Sequence, residues 1–333
     1  MSNFKSIDPK IISSPDYDIS FFGAENLHPF DTRKYGRAWH LLRSRYGDEI
    51  YNRRVKPIKE VDERDLLLVH TQDYLESLKD SGTIARALEL PMLSNTPYHV
   101  MRSRLVRPMR LATQGTIMTA YEALKGQIAV NLSGGYHHAS EARGEGFCLF
   151  ADVPVAIQKL RQTGLIQPNQ QAIIIDLDAH QGNGYARIFQ GQSGVFIFDM
   201  YNQSIWPRDE PAKARIDYSI GINSGCNSTS YLDLLYHKLP EALDRVPNPA
   251  IAFYIAGTDI IAEDALGNLK VTEEASHQRD NFVIDTLVSR EIPLAVVLGG
   301  GYSRISYRMI ADMVGYIIEE FGDKAQQTTE QHA

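Results

Sequence analysis

Cysteine is scarce in this chain: Cys148 and Cys226 are the only two among 333 residues, and they stand in unlike surroundings. That excludes a disulfide scaffold and a Cys-x-x-Cys zinc module, and it suits a reducing compartment. Basic residues are outnumbered, 34 Lys and Arg against 41 Asp and Glu, for a net charge of −7. A protein that grips a phosphate backbone needs a basic face, so no direct nucleic-acid binding is expected. A cationic substrate is compatible with this charge. Also missing is any apolar run approaching the roughly 20 residues that span a bilayer. The N-terminal Met1-Ser2-Asn3-Phe4-Lys5-Ser6 lacks the apolar core of a signal peptide. These absences predict a soluble, cytoplasmic protein with no membrane span.

What is present is an ordinary globular composition, 43% hydrophobic and 23% charged, on a chain long enough for one large core. Ile19 to Phe22, Leu66 to Val69, Ile128 to Leu132, 172–176, Val195 to Phe198, Ser219 to Ile222, Ile251 to Ala256 and Leu294 to Leu298 read as strands. Residues 1–18 read as polar and turn-rich, and the region from about 80 to 100 as loop. Helical spacing follows Asp31, a candidate N-cap, and also Thr71. It runs from Val100 to Leu124, where Pro108 must kink or restart it. Further helices are expected over Val153–Leu160, Tyr231–Leu239, Glu273–Ser289 and Ser306–Phe321. Apolar strands alternating with helices predict a single α/β domain over 1–322, with a mostly parallel open sheet covered on both faces. Residues 323–333 read as a polar tail.

In such sheets ligands bind beyond the carboxyl ends of the strands. Four apolar strands here end in glycine or a tight turn and then in chemically useful side chains. Gly134-Gly135-Tyr136-His137-His138 follows one, and Asp176-Leu177-Asp178-Ala179-His180-Gln181-Gly182-Asn183-Gly184 follows another. Gly257-Thr258-Asp259 and Gly299-Gly300-Gly301-Tyr302 follow the other two. Each alone reads as a flexible turn or a surface cap; four together point to one catalytic site.

Asp178, His180 and Asp259 supply two oxygens and a nitrogen, which suits a divalent metal with open positions, most simply Zn²⁺, with Fe²⁺ or Mn²⁺ also accommodated. Such a metal acidifies a bound water and polarises a carbonyl. His137 and His138 then serve as the proton-transfer pair. Asp176 and Asn183 are placed to orient the two rings, the anion favouring a charged imidazolium and the neutral amide not. Tyr302 can donate its hydroxyl to an oxyanion. His70 and Cys226 read as structural, and Cys148 as a small core residue.

These motifs, with Gly146-Phe147-Cys148, resemble the zinc-dependent histone deacetylases in order and spacing over roughly residues 20 to 320. The Asp-Leu-Asp-Ala-His-Gln-Gly-Asn form, Gly115-Thr116-Ile117-Met118 and Asp199-Met200-Tyr201-Asn202 look most like the class IV branch. The resemblance implies the arginase/deacetylase fold and hydrolysis of acyl-lysine amides in proteins, acetyl or long-chain fatty acyl. It implies Asp178, His180 and Asp259 as zinc ligands, His138 as general base and Tyr302 as the transition-state tyrosine. Phe147 and Gly146 would line the acyl-lysine tunnel, with Tyr201 or Trp206 opposite. A structural K⁺ through Asp176 and Asp178 is also implied, with Asp199 where relatives carry a small hydroxyl residue.

Many relatives hold the substrate backbone with an aspartate near residue 100, and Pro97-Tyr98-His99-Val100 offers none. The alternative within this fold is an acetylpolyamine or other small-amide amidohydrolase, which would want acidic residues at the tunnel mouth. An arginase-type two-metal site would need more bridging aspartates and histidines, and a catalytically dead acyl-lysine reader would not need the intact ligand, base and tyrosine set.

Overall fold

Five strands in this chain are buried on both faces, and their sequences show why: Ile, Val, Ala and Phe run without polar alternation. The computed structural model describes residues 7–21 and 31–322. Its eight strands are β1 Lys10–Ile12, β2 Arg54–Val55, β3 Ile128–Asn131, β4 Gln171–Asp176, β5 Val195–Asn202, β6 Tyr218–Ile222, β7 Pro249–Ile255 and β8 Leu294–Val297. They form one sheet in the order β2-β1-β3-β8-β7-β4-β5-β6, and every pairing is parallel. The sheet is thus all-parallel rather than mostly so. Helices cover it, as expected of a single α/β domain.

The order places β3, β8, β7 and β4 side by side at the centre. These are the four strands whose ends carry the motifs, so residues more than 120 positions apart converge on one edge. The longest helix, Arg107–Gly126, packs across β3 and β8, and Ser306–Phe321 packs against Lys34–Tyr46 on the sheet's outer layer.

Several local expectations give way. Leu66–Val69 is no strand: a short helix, Glu63–Leu66, tightens into turns there. Leu67, Leu68 and Val69 donate to the carbonyls of Glu63, Asp65 and Leu66, so the backbone is satisfied locally. Ile19 to Phe21 joins no sheet, and Ile19 exchanges hydrogen bonds with Thr32 instead; Phe22 lies outside the described residues, as do His28 to Phe30 and the 323–333 tail. Asp31 is not the N-cap: the helix starts at Lys34 after Arg33, and the Asp31 carboxylate accepts from Arg33 N and pairs with Arg37. Thr71 does cap, accepting from Tyr74 N at 3.2 Å.

The loop-like region holds a helix, Ser81–Ala87, capped by Asp80. The long helical stretch begins as Tyr98–Met101 and widens into a π-turn over Arg102–Val106. It resumes at Arg107 with Pro108 in its first turn, where a missing N–H costs no bond.

Candidate functional site

Asp178 and His180 leave the end of β4 in the tight segment that follows it, and Asp259 leaves the segment after β7. One ligand atom from each lies within 4.8 Å of the others, and all three residues are buried. Their outer lone pairs are already used. Gly300 N donates to Asp178 Oδ2 at 2.6 Å, and Ala179 N to Asp259 Oδ1 at 2.9 Å. The inner oxygens, Asp178 Oδ1 and Asp259 Oδ2, face His180 Nδ1 at 3.1 and 2.9 Å.

Two desolvated carboxylates beside one imidazole attract any available positive charge. Burial works against a charged His180, but its bonds to the two carboxylates outweigh that and hold its pKa up at about 10. Burial, helped by the charge on Asp178, pushes Asp259 up to about 7. Two oxygens and a nitrogen, oriented by backbone amides, fit a divalent metal.

Beside this cluster the two histidines differ. His137 Nδ1 lies 2.8 Å from Asp176 Oδ2, and His138 Nδ1 lies 2.8 Å from Asn183 Oδ1. Burial opposes charge on both rings. For His137 the carboxylates of Asp178 and Asp176 overcome it, raising its pKa to about 9. His138, buried and facing the positive His137 and His180, is held well below 6.5. Asp176 is itself fixed by Asp178 N and the Tyr185 hydroxyl, each at 3.0 Å.

Gly184 brings the strand ends together. A Cβ there would sit 2.3 Å from the Ala139 carbonyl, so only glycine lets its N–H reach the His137 carbonyl at 2.9 Å.

Phe147 stands with its ring edge toward Tyr302, centroids 5.9 Å apart, in a left-handed backbone conformation (φ 64°) rare for a bulky residue. Gly146 before it also has positive φ, and any Cβ there would strike the His138 ring at 2.4 Å. Together His138, Gly146, Phe147 and Tyr302 form a constriction between two cavities. The outer one is lined by Glu89, His180, Ile205, Trp206 and Leu266. The inner one is walled by apolar residues, among them Leu88, Leu93, Leu105, Met109 and Cys148. Of the two candidates for the opposite wall, Trp206 is there, 4.6 Å from His138 between ring centroids. Tyr201 is not: it is buried in β5 and bonds Ser219.

A histone deacetylase domain matches residues 28–318. The chain belongs to the histone deacetylase family. It is 39% identical over 313 residues to histone deacetylase 2 of Arabidopsis thaliana, covering 91% of this chain and 77% of that one. Among solved structures, the HD domain of HDA15 superposes with a TM-score of 0.73 at 20% identity, over 94% of this chain and 89% of that one. An HDAC homolog from Aquifex aeolicus superposes at 0.71 and 23% identity, over 92% and 82%. At these identities the structures establish the shared fold.

This deacetylase-family site also rests on residues that sequence reasoning passes over. Lys34, fully buried, donates from Nζ to the carbonyls of Gly299 and Gly300, each at 3.0 Å. Burial lowers its pKa to about 8 against the pull of Asp259, Asp178 and Asp264. Asp264 accepts from Tyr302 N at 2.7 Å and Ser303 N at 3.2 Å, and so shapes the tyrosine loop. Asp152 does the same for the histidine loop, accepting from Gly135 N at 2.9 Å and Tyr136 N at 2.8 Å. The only advance signal was an acidic residue shortly after each motif. His70 is structural, as expected: it accepts from Ala151 N at 3.0 Å, and burial lowers its pKa to about 4.

Proposed function

We propose that this chain hydrolyses the amide of acyl-lysine in proteins or peptides, with Zn²⁺ as its resident metal and a class IV-like preference that extends to long acyl chains. The observation that carries the reading is the constriction itself: a three-ligand cluster, two unequal histidines and a tyrosine meet between an outer channel and an inner apolar pocket. Asp178, His180 and Asp259 would hold the metal, and Fe²⁺ fits the same donors. Bound there, it supplies Lewis-acid polarisation and an acidified water.

The protein's own groups divide the remaining work. His138, neutral at physiological pH, takes the proton of the attacking water through Nε2. His137, its pKa raised by the carboxylates of Asp178 and Asp176, would keep positive charge beside the developing oxyanion and share in proton delivery to the leaving lysine amine. Tyr302 stays a neutral donor because burial, then the charges of Asp178 and Asp259, push its pKa well above 10; its hydroxyl would donate to the oxyanion. Phe147 and Trp206 flank the lysine methylenes, with Gly146 between them. Asp199 has a buried Oδ1 with no hydrogen-bond partner among the described residues, next to Asp176 on β4. An orphaned carboxylate oxygen there fits a structural K⁺ held with Asp176 and Asp178.

The inner pocket supports the long-chain reading. Its wall of Leu88, Leu93, Leu105 and Met109 is apolar, as a hydrocarbon tail requires. Glu89 lines the outer cavity, and its carboxylate would accept a peptide N–H or attract a cationic amine there, the task for which 97–100 offers no residue. That acidic mouth also favours the acetylpolyamine alternative. Matched acetyl-, octanoyl- and myristoyl-lysine peptides and acetylated polyamines, assayed with and without chelator, test the proposal. Turnover of polyamines alone would transfer the assignment to the small-amide class.

A further inference from the structure

Asn183 poses a problem that an aspartate in its place would not. A carboxylate accepts through either oxygen, whereas a carboxamide has one accepting end and one donating end. It can serve His138 Nδ1 only while its oxygen faces the ring. On its other side Asn183 Nδ2 donates to Glu145 Oε1 at 2.8 Å, and Glu145 Oε2 pairs with Arg143 at 2.6 Å. An ionised carboxylate only accepts, so it takes the NH₂ end of the amide and turns the carbonyl toward His138. The ring must then donate through Nδ1, which leaves the Nε2 lone pair bare.

We propose that Glu145 is a positioning residue that selects the tautomer of His138 through Asn183, with Arg143 holding the Glu145 carboxylate in place. The chain Arg143–Glu145–Asn183–His138 runs from the surface, where the Arg143 side chain is 55% exposed, to a base that is 2% exposed. It rests on the reading of His138 as the base. Without Glu145 the amide has nothing to stop it turning over, and a turned amide would offer its NH₂ to Nδ1 and place the imidazole proton on Nε2, where it blocks the base.

Glu145 also has a backbone role, since its carbonyl accepts from Cys148 N at 3.0 Å in the turn that carries Gly146 and Phe147. Substitutions of the side chain leave that bond intact, and the test separates the two roles. On an acetyl-lysine peptide with the zinc-loaded enzyme, Glu145→Ala should lower kcat by about tenfold to 100-fold, toward the lower range of what a positioned base contributes, with KM little changed. Glu145→Gln keeps an accepting oxygen and should restore most of the activity. In an Asn183→Asp background the orienting need disappears and two carboxylates face each other, so Glu145→Ala there should cost nothing or raise kcat. An equal loss in both backgrounds would overturn the proposal.

Selective ¹⁵N-histidine NMR reads the tautomer without turnover. The wild-type chain should show His138 protonated on Nδ1, and Glu145→Ala a mixture. An unchanged tautomer in Glu145→Ala, or an Nε2-protonated wild type, overturns the proposal even if no acyl-lysine peptide is cleaved. Absence of cleavage by itself would instead count against the hydrolase reading.

Discussion

Lys34 Nζ donates to the carbonyl oxygen of Gly300 at 3.0 Å, joining two residues 266 positions apart. The same ammonium reaches Gly299, so one buried cation fixes the loop between the candidate metal ligands and Tyr302. Lys34→Met keeps the length and removes the donor, which strands buried carbonyls at a cost of about 1–3 kcal/mol. Urea unfolding should show that loss. The kcat should fall as well, because Gly300 N, which orients Asp178, sits on the same loop. Unchanged stability and turnover would remove Lys34 from the site's support.

Tyr302→Phe should lower kcat by an amount worth about 2.7–4 kcal/mol, the range for losing one oxyanion donor. KM should change little, since the ring still packs on Phe147. A variant with wild-type turnover would take the hydroxyl out of the mechanism.

Complete chelation should abolish hydrolysis and lower Tm, because a metal bound only by the folded chain stabilises it by mass action. Adding Zn²⁺ back should restore both. Asp259→Asn should respond to neither treatment. Activity that survives metal removal would overturn the metal assignment.

Met109→Trp fills the inner pocket from its helical wall. Overpacking of this kind costs about 1–3 kcal/mol of stability. The informative quantity is the ratio of kcat/KM for octanoyl- over acetyl-lysine peptide, which should fall with acetyl turnover largely kept. A ratio that does not move would place the acyl tail elsewhere.

His277 Nε2 lies 3.0 Å from Asp312 Oδ2, linking the Glu273–Ser289 helix to the last one. Pairing with Asp312 raises the histidine's pKa above 6.5 despite partial burial. Because the folded pKa is the higher one, this stabilisation is fully present below the unfolded value of about 6.5 and is lost as pH rises through the folded value. His277→Gln should therefore reduce the fall in Tm between acid and alkaline pH. Parallel Tm–pH curves for the two proteins would exclude the linkage.

The long central strands were legible because they are buried on both faces and so read as unbroken apolar runs. β1 and β2 were not: Lys10–Ile12 and Arg54–Val55 are too short to show a period, and they are strands only because β3 offers an edge to β1, and β1 in turn one to β2. Leu66–Val69 misled for the opposite reason, since four apolar residues bond just as well in consecutive turns. At the site, Asp178, His180, Asp259, His137, His138 and Tyr302 stood out by residue type at strand ends. Lys34, Asp152, Asp264 and Glu145 carry no such mark.

The primary structure alone determined the family, the alternation of strands and helices and the inventory of candidate ligands and proton carriers, because each of those is written in local residue types and spacing. Which carboxylate neighbours which ring was decided only by the order β3-β8-β7-β4, which brings distant strand ends together. His137 and His138 are adjacent, yet one is held up to about 9 and the other well below 6.5. Nothing in a tandem pair distinguishes its members. The difference arises from the desolvation both share and from the partner each meets across the fold, a carboxylate for one and an amide for the other.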